Sequence, residues 1–332
     1  MSDVRTFRVG VATPPGMTPA YSYFVPSLTL GFDAEVGLRF ELFHGGTPDQ
    51  TAEALAAGKC DVACLNAIVG IIARDEGKRF VALGSKARRA HRWFAVLPDD
   101  PARTLGDLRG RRIACEYPHL AKLGDAALIE EGISPSEIEW VPWRGSDMEA
   151  GAMAEAFRAG EIDTVFIIDW NDGDFAAHGL PLRHLPSKLL DRLTLSSCYW
   201  TTTDTLELRR SDFGPALRAL TRSILYSSEN INATIEMTWD RYPEMRPSES
   251  VRKEAGLRHR HILKACLAPM MVEPTDHNPR LGVIEEADVA FTRDYMLRTG
   301  WIKNPIPVTE CYTRAFEPYF NGPLDLFPAR RA

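Results

Sequence analysis

The feature of this sequence that most restricts its fold is a match of the chain to itself at an offset of 102 residues. Residues 52–63 (AEALAAGKCDVA) align with residues 154–165 (AEAFRAGEIDTV). In each copy a helical stretch ends at a glycine, Gly58 or Gly160, which suits the left-handed residue that commonly closes a helix. An aspartate and an apolar strand follow in both copies. The alternative is a chance similarity of two helix–strand units. The order and spacing of the elements and the glycine and aspartate between them agree in both copies, so we predict two related halves.

Strand-like segments precede the two copies at nearly equal offsets, so each half is predicted to run β-α-β-α-β. Strands that alternate with helices favour parallel, helix-covered sheets. Parallel sheets are buried on both faces, which explains the near-continuous apolar strands of the repeat. We therefore predict an α/β fold with two lobes, each a helix-covered and mostly parallel sheet. The predicted strands of the two halves are residues 7–12, 38–43 and 62–65, and residues 111–116, 138–143 and 164–168.

The path of the chain beyond the repeat predicts a discontinuous first lobe. A β-rich segment at residues 193–203 follows the second copy and returns the chain to the first lobe. We predict lobe one at residues 1–92 plus 196–332 and lobe two at residues 93–195, with crossing segments near 85–92 and 195–203 as the hinge. Helices are predicted at about residues 212–239, 248–266 and 284–299, and all three are expected to pack on lobe one.

Charge and composition exclude several classes of function. The net charge of −6 gives no basic surface for nucleic acid, and no apolar run approaches the roughly 20 residues of a membrane span. The first strand begins close to the first residue, so we expect no secretory leader and a cytoplasmic protein, or a periplasmic one if a leader has been removed. The six cysteines are scattered, which favours free buried thiols over a metal site. We predict neither a metal nor a cofactor, because no phosphate-binding glycine loop or His-Glu-x-x-His motif occurs.

Several segments resemble the solute-binding proteins of nitrate/sulfonate/taurine-type ABC transporters, within the thiamine-pyrimidine synthesis-like superfamily. The resemblance lies in the two repeat copies and in residues 105–114 (LGDLRGRRIA), 291–302 (FTRDYMLRTGWI) and 309–313 (TECYT). It implies a type II periplasmic-binding-protein fold that closes by a hinge on a small organic ligand between its lobes. It also implies an ABC-transporter permease as a partner, although that family is normally exported and this sequence shows no leader.

Ligands of open parallel sheets meet the carboxyl ends of the strands and the helix starts that follow them. That rule selects six loops, three from each lobe. These loops give the candidate ligand-binding residues Thr13, Tyr21, Tyr23, His44, Gly45 and Asn66 in lobe one and Glu116, Tyr117, His119, Arg144, Asp169 and Trp170 in lobe two. Arg92, in the crossing segment between the lobes, is a further candidate.

The strongest of these loops is residues 116–119, where an acid, a phenol and an imidazole stand together, although a solvated turn would look the same. The guanidinium fork of Arg92 or Arg144 suits a carboxylate or sulfonate, and Trp170 offers a ring for stacking. Each remaining candidate has a structural alternative. Tyr21 and Tyr23 are alternatively core residues, Asn66 a helix cap, His44 a helix-capping surface residue, and residues 171–174 a plain loop.

Two functions stay open from the sequence. The resemblance favours a receptor that captures a small aromatic, sulfonate or carboxylate-like molecule. The missing leader and the free thiols favour a cytosolic enzyme on the same fold, such as a decarboxylase or lyase of an aromatic or cyclic acid. In the enzyme, His119 or His44 would transfer the proton. The histidines and arginines of residues 258–261 are predicted to form a solvated helix face and not a metal site.

Overall fold

The computed structural model describes residues 4–13, 15–115, 118–144, 149–273, 276 and 278–322. The strands are β1 Arg5–Val11, β2 Leu38–His44, β3 Val62–Asn66, β4 Phe80–Ala87, β5 Arg92–Val96, β6 Arg112–Cys115, β7 Glu139–Pro142, β8 Thr164–Ile168, β9 Arg183–His184 and β10 Ser197–Thr202. The α-helices are α1 Val25–Leu30, α2 Phe32–Glu35, α3 Pro48–Ala56, α4 Ala67–Asp75, α5 Pro118–Glu130, α6 Gly151–Arg158, α7 Asp169–Ala177, α8 Thr203–Glu229, α9 Ile231–Arg241, α10 Arg252–Leu267, α11 Glu286–Arg298, α12 Val308–Cys311 and α13 Glu317–Asn321.

The chain forms two compact units, each with its own sheet. Unit 1 comprises Met1–Arg88, Leu195–Arg246 and Met270–Ala332, and unit 2 comprises Arg89–Thr194 and Pro247–Pro269. The sheet of unit 1 has the order β2-β1-β3-β10-β4, and the sheet of unit 2 has the order β7-β6-β8-β5-β9. In each sheet the first three strands are parallel and the fourth is antiparallel to both neighbours. The predicted class, two helix-covered and mostly parallel sheets, is confirmed.

The aspartates of the repeat do the same work in both units. Asp61 donates its backbone N–H to the carbonyl of Arg8 at 2.9 Å, and its carboxylate accepts the N–H of Arg8 at 2.7 Å. Asp163 makes the matching pair of contacts with Arg112, at 3.0 Å and 3.0 Å. Each aspartate therefore fixes the start of one strand against its neighbour. This shared task gives a physical reason for the aspartate in both copies, and Gly58 and Gly160 do adopt the left-handed backbone with φ of 68° and 65°.

The core of unit 1 lies on both faces of its sheet. On one face Phe7 packs edge-on against Phe213 of α8, with ring centroids 5.4 Å apart. On the other face Ile71, Trp200 and Met296 belong to one buried cluster. Helix α8 begins at Thr203, where the Thr202 hydroxyl accepts the N–H of Thr205 as an N-cap, so it starts earlier than the predicted residue 212. Its backbone is interrupted at Arg209, whose φ of −122° and ψ of 24° are not helical.

Helix α10 corrects the predicted division of the chain. Residues 247–269 were assigned to lobe one, yet they belong to unit 2, where α10 packs against α7. The buried carboxylate of Asp174 binds the Arg258 guanidinium through two nitrogens, at 2.7 Å and 3.0 Å. Gly173 lets the helix backbones come close, because a Cβ there would stand 2.6 Å from the His261 carbonyl oxygen. The prediction that this helix packs on lobe one was therefore wrong.

The thiol prediction is confirmed, since all six cysteines are buried and free. Burial raises the pKa of Cys60 to about 12 and that of Cys64 to about 11. These thiols are therefore protonated and unreactive at neutral pH. Across the described part of the chain, none of the helices is both long enough and apolar enough to cross a membrane.

Candidate functional site

The carboxyl ends of four parallel strands of unit 1 meet at one edge of its sheet, together with the start of β10. Val11 lies opposite His44 on one side and Cys64 on the other. Ser197 lies opposite Asn66 and Ala87. We call the loops that leave these strand ends the unit 1 edge. It collects the six candidate residues that the strand-end rule selected in lobe one.

Thr13 and His44 form a hydrogen-bonded pair at the unit 1 edge. The Thr13 hydroxyl is buried and lies 2.8 Å from His44 Nδ1. Partial burial lowers the pKa of His44 below its usual value, because the charged imidazolium loses hydration. His44 is therefore neutral at physiological pH and able to accept or donate one hydrogen bond at each ring nitrogen. Its predicted capacity to hold or move a proton stays a prediction.

The glycine and the asparagine of this edge have structural tasks. Gly45 donates its N–H to the Val11 carbonyl at 2.9 Å, and a Cβ on it would meet the Thr51 hydroxyl oxygen at 2.3 Å. The missing side chain therefore makes room for helix α3, and a close approach of ligand to this backbone stays a prediction. Asn66 caps α4, since its side-chain oxygen accepts the N–H of Ile68 at 2.9 Å.

The two tyrosines surround a lysine that the sequence-based prediction did not include. Tyr21 and Tyr23 are 8% and 1% exposed, so their rings are core residues. Lys86, near the end of β4, donates to the Tyr23 hydroxyl at 2.8 Å, and its ammonium lies 5.1 Å from the Tyr23 ring centroid and 5.8 Å from that of Tyr21. A lysine inside an otherwise apolar strand was the available signal. Its charge, held among aromatic rings, suits an anion.

A small cavity adjoins Lys86. It measures about 20 Å³, and its lining includes Lys86, Arg88, Tyr199 and Thr221. The Tyr199 hydroxyl is fully buried and has no hydrogen-bond partner among the described residues. Burial raises its pKa well above the usual value, so the phenol stays protonated. Lys86 and Tyr199 therefore line one cavity, and each carries a hydrogen-bond donor.

In unit 2 the structure brings together three of the predicted residues. Arg92 lies opposite Ile168, the last residue of β8. Asp169 follows, is 8% exposed, donates its N–H to the His91 carbonyl at 3.1 Å and accepts the N–H of Trp170 at 2.8 Å. The segment 171–174 is not a plain loop, because helix α7 spans Asp169–Ala177. Arg92, Asp169 and Trp170 therefore share the carboxyl edge of the unit 2 sheet.

Glu116 and Tyr117 lie outside the described residues, as does the side chain of His119, although α5 includes its backbone. Arg144 is exposed and forms an ion pair with Glu161. A carboxylate of the protein itself therefore engages the guanidinium that the sequence offered to an anionic ligand.

The predicted solvated face at residues 258–261 is wrong for its first two residues. Arg258 pairs with the buried Asp174, and His259 is only 2% exposed. Burial lowers the pKa of His259 to about 3, so its imidazole is neutral across the physiological range. Among the residues that the structure describes, no three His, Cys, Asp or Glu side chains are grouped so as to hold a metal ion.

Comparison with known families and structures adds an independent line of argument. A sequence model described as "NMT1/THI5 like" matches residues 21–231. No curated protein matches the chain. Many solved structures do. The aliphatic sulphonate-binding protein SsuA of Escherichia coli is 15% identical over 95% of this chain and 99% of its own, with a TM-score of 0.65.

Two further structures show the range of functions among the neighbours. The alkanesulfonate-binding protein SsuA of Xanthomonas axonopodis pv. citri, bound to MOPS, is 17% identical over 95% of this chain and 100% of its own, with a TM-score of 0.62. The desulfurization enzyme DSZB is 16% identical over 94% and 97%, with a TM-score of 0.59. Likeness at this level of identity establishes the fold, which is the periplasmic-binding-protein fold that the sequence predicted.

Proposed function

The chain belongs to the NMT1/THI5-like family, and on that premise we propose that it is a solute-binding protein for a small organic anion such as a sulfonate or carboxylate. The observation that carries this proposal is the ammonium of Lys86, held by the Tyr23 hydroxyl among two tyrosine rings at the unit 1 edge. A positive charge that is partly buried among aromatic rings attracts an anion more strongly than one in open water.

Neutral hydrogen-bonding groups complete the same edge. The Thr13–His44 pair stands at the ends of β1 and β2, and the carboxyl edge of a parallel sheet is where ligands of such folds are bound. The two SsuA proteins that share the fold are named for sulfonate binding, which supports this ligand class. The proposal also expects an ABC-transporter permease as the partner that receives the ligand.

A ligand screen by thermal unfolding tests the proposal on the full chain. The panel contains alkanesulfonates, aromatic sulfonates, carboxylates and pyrimidines. A ligand at 100 times its Kd adds about 2.7 kcal/mol to the free energy of unfolding, which raises Tm by several degrees. No stabilisation by any anion of the panel at millimolar concentration would overturn the proposal.

Matched variants test whether the ligand binds at the unit 1 edge. Lys86→Met removes the ammonium and keeps most of the side-chain volume, and the best ligand is expected to bind at least about tenfold more weakly, because a charge-assisted hydrogen bond is lost. Lys59→Met removes the same charge from an exposed residue of unit 1 and is expected to leave binding unchanged. Equal affinities in the two variants would contradict the assignment. Consumption of the ligand during incubation would show an enzyme and not a receptor.

A further inference from the structure

We propose that unit 2 carries a separate binding site for a planar organic anion. The site is a cleft of about 490 Å³, and we call it the unit 2 cleft. Its volume lies within the range of roughly 300–1,000 Å³ that is usual for small-molecule sites. Its lining includes Arg89, Arg92, Trp93, His184, Asp191 and Thr194, all of them residues of unit 2.

Two aromatic rings form one wall of the unit 2 cleft. The indole of Trp93 and the imidazole of His184 are stacked, with centroids 4.1 Å apart and an angle of 29° between their planes. Trp93 also packs against the buried cluster of unit 2 that contains Ala95 and Ile167, which holds the indole in place. The His184 side chain remains 41% exposed, so part of this flat surface is open to a ligand. Planar ligand rings gain from offset stacking on such a surface.

Hydrogen bonding fixes the orientation of the outer ring. His184 Nε2 lies 3.1 Å from an oxygen of Asp172, on helix α7. Strand pairing holds the backbone of His184, which lies opposite Ala95 in the β5–β9 pair. The ring is therefore set before any ligand arrives, which lowers the entropic cost of binding.

Two arginines line the same cleft and determine the charge of its ligand. Arg89 and Arg92 each carry a planar guanidinium with five N–H donors, a geometry that matches the oxygens of a carboxylate or sulfonate. Asp191 is the acidic residue of the lining. One oxygen of its carboxylate accepts a hydrogen bond from the backbone N–H of Ser187, at 2.9 Å. A ring with an anionic group attached satisfies both parts of the cleft.

Unsatisfied polar atoms of the lining provide a further indication of a ligand. Trp93 Nε1 and Thr194 Oγ1 are buried and have no hydrogen-bond partner among the residues described. A buried polar atom without a partner costs free energy, and native proteins supply a partner for nearly all of them. Oxygen atoms of a bound organic acid would supply partners of the right chemistry.

The experiment compares two sulfonates by calorimetry on the full chain. Benzenesulfonate is planar, whereas cyclohexanesulfonate carries the same charge on a puckered ring. We expect benzenesulfonate to bind several-fold more tightly, because only its ring gains from the aromatic wall. Equal affinities for the two sulfonates would overturn the proposal.

Variants separate this site from the unit 1 edge. Calorimetry in the Lys86→Met background isolates the unit 2 cleft from the unit 1 edge. In that background Arg92→Gln is expected to weaken benzenesulfonate binding by about tenfold or more, whereas Arg260→Gln, at an exposed residue of unit 2, leaves it unchanged. His184→Ala is a second test at an exposed side chain that need not disturb folding, and it is expected to abolish the preference for the planar ring. Loss of all benzenesulfonate binding in Lys86→Met, or no further loss when Arg92→Gln is added to it, would overturn the separate site. A further loss when Arg92→Gln is added to Lys86→Met would support the unit 2 cleft whether or not the proposed function holds.

Discussion

Replacing Gly173 with alanine tests the close contact between α7 and α10. The added Cβ would lie 2.6 Å from the His261 carbonyl oxygen, 2.7 Å from Ile262 Cα and 2.8 Å from the His261 carbonyl carbon. All three are backbone atoms of α10, so no side-chain rotation relieves the clash. The two helices would have to separate beside Asp174, whose bonds to Arg258 depend on their closeness.

The magnitude follows from two opposing contributions. Alanine in a helix interior normally stabilises by about 1 kcal/mol relative to glycine. Overpacking of a well-packed contact costs about 1–3 kcal/mol and sometimes more, and contacts this short with rigid backbone belong at the upper end. We therefore expect a net loss of about 2 kcal/mol in the free energy of unfolding. Helix propensity alone would predict the opposite, a rise in the free energy of unfolding.

Urea unfolding followed by circular dichroism measures this loss. The matched control is Gly151→Ala at the start of α6, where the new Cβ would meet only the His178 side chain, at 3.2 Å. That side chain is partly exposed and able to move, so the control is expected to match or slightly exceed the wild type. A Gly173→Ala protein as stable as the wild type would refute the packing of α10 against α7.

Three further predictions concern buried polar groups. Asp174→Asn is expected to lower the free energy of unfolding by about 2–3 kcal/mol, because it breaks a mostly buried ion pair whose arginine keeps some access to water; urea titration measures the loss, and an unchanged midpoint would contradict it. The pKa of His259 is about 3 in the folded protein, below the unfolded value of about 6.5. Burial of the neutral imidazole therefore costs no stability above pH 6.5. Below that pH the unfolded state takes up a proton that the folded state does not, and the free energy of unfolding falls by roughly 2 kcal/mol at pH 5. His259→Gln is expected to flatten the curve of unfolding free energy between pH 7 and pH 5, and a slope equal to that of the wild type would count against the buried neutral imidazole. The six thiols are expected to react with a disulfide reagent only after unfolding, since all are buried; rapid modification of the native chain would contradict this.

The fold was largely predictable because each copy of the repeat contains residues that mark where its helix ends and its strand begins. Gly58 and Gly160 end helices with a left-handed backbone, and Asp61 and Asp163 fix the starts of β3 and β8 against β1 and β6. These are local tasks with local sequence signals. A helix such as α10 is different, because its apolar face shows that it packs on something without showing on what. The contact that decides its partner is a glycine in α7, in a segment whose polar residues resembled a loop.

The candidate site was predictable only where it lies at strand ends. The rule for parallel sheets found Thr13, His44 and Asp169, which do lie at the predicted edges. It missed Lys86, because it examines the loops and not the strands. It also missed the pairing of Trp93 with His184, which depends on the two-residue strand β9.

Two residues that were predicted to bind a ligand instead bind other parts of the protein. Asn66 is occupied as a helix cap, and Arg144 pairs with a glutamate 17 residues further along the chain. Both were chosen because their residue types suit a ligand. The same chemistry makes them suitable partners for the protein itself, and only the fold decides between the two.

Equilibrium dialysis of the full chain against the best anion from the screen distinguishes a solute-binding protein from an enzyme and from a protein that binds no anion. Protein and ligand are mixed at concentrations near the Kd, left overnight, and the ligand on both sides of the membrane is quantified and its chemical structure checked. We expect saturable retention of the anion on the protein side, with all of it recovered unchanged, and a clear reduction of retention in Lys86→Met but not in Lys59→Met. Equal ligand concentrations on both sides, or recovery of a converted product, would contradict a solute-binding protein.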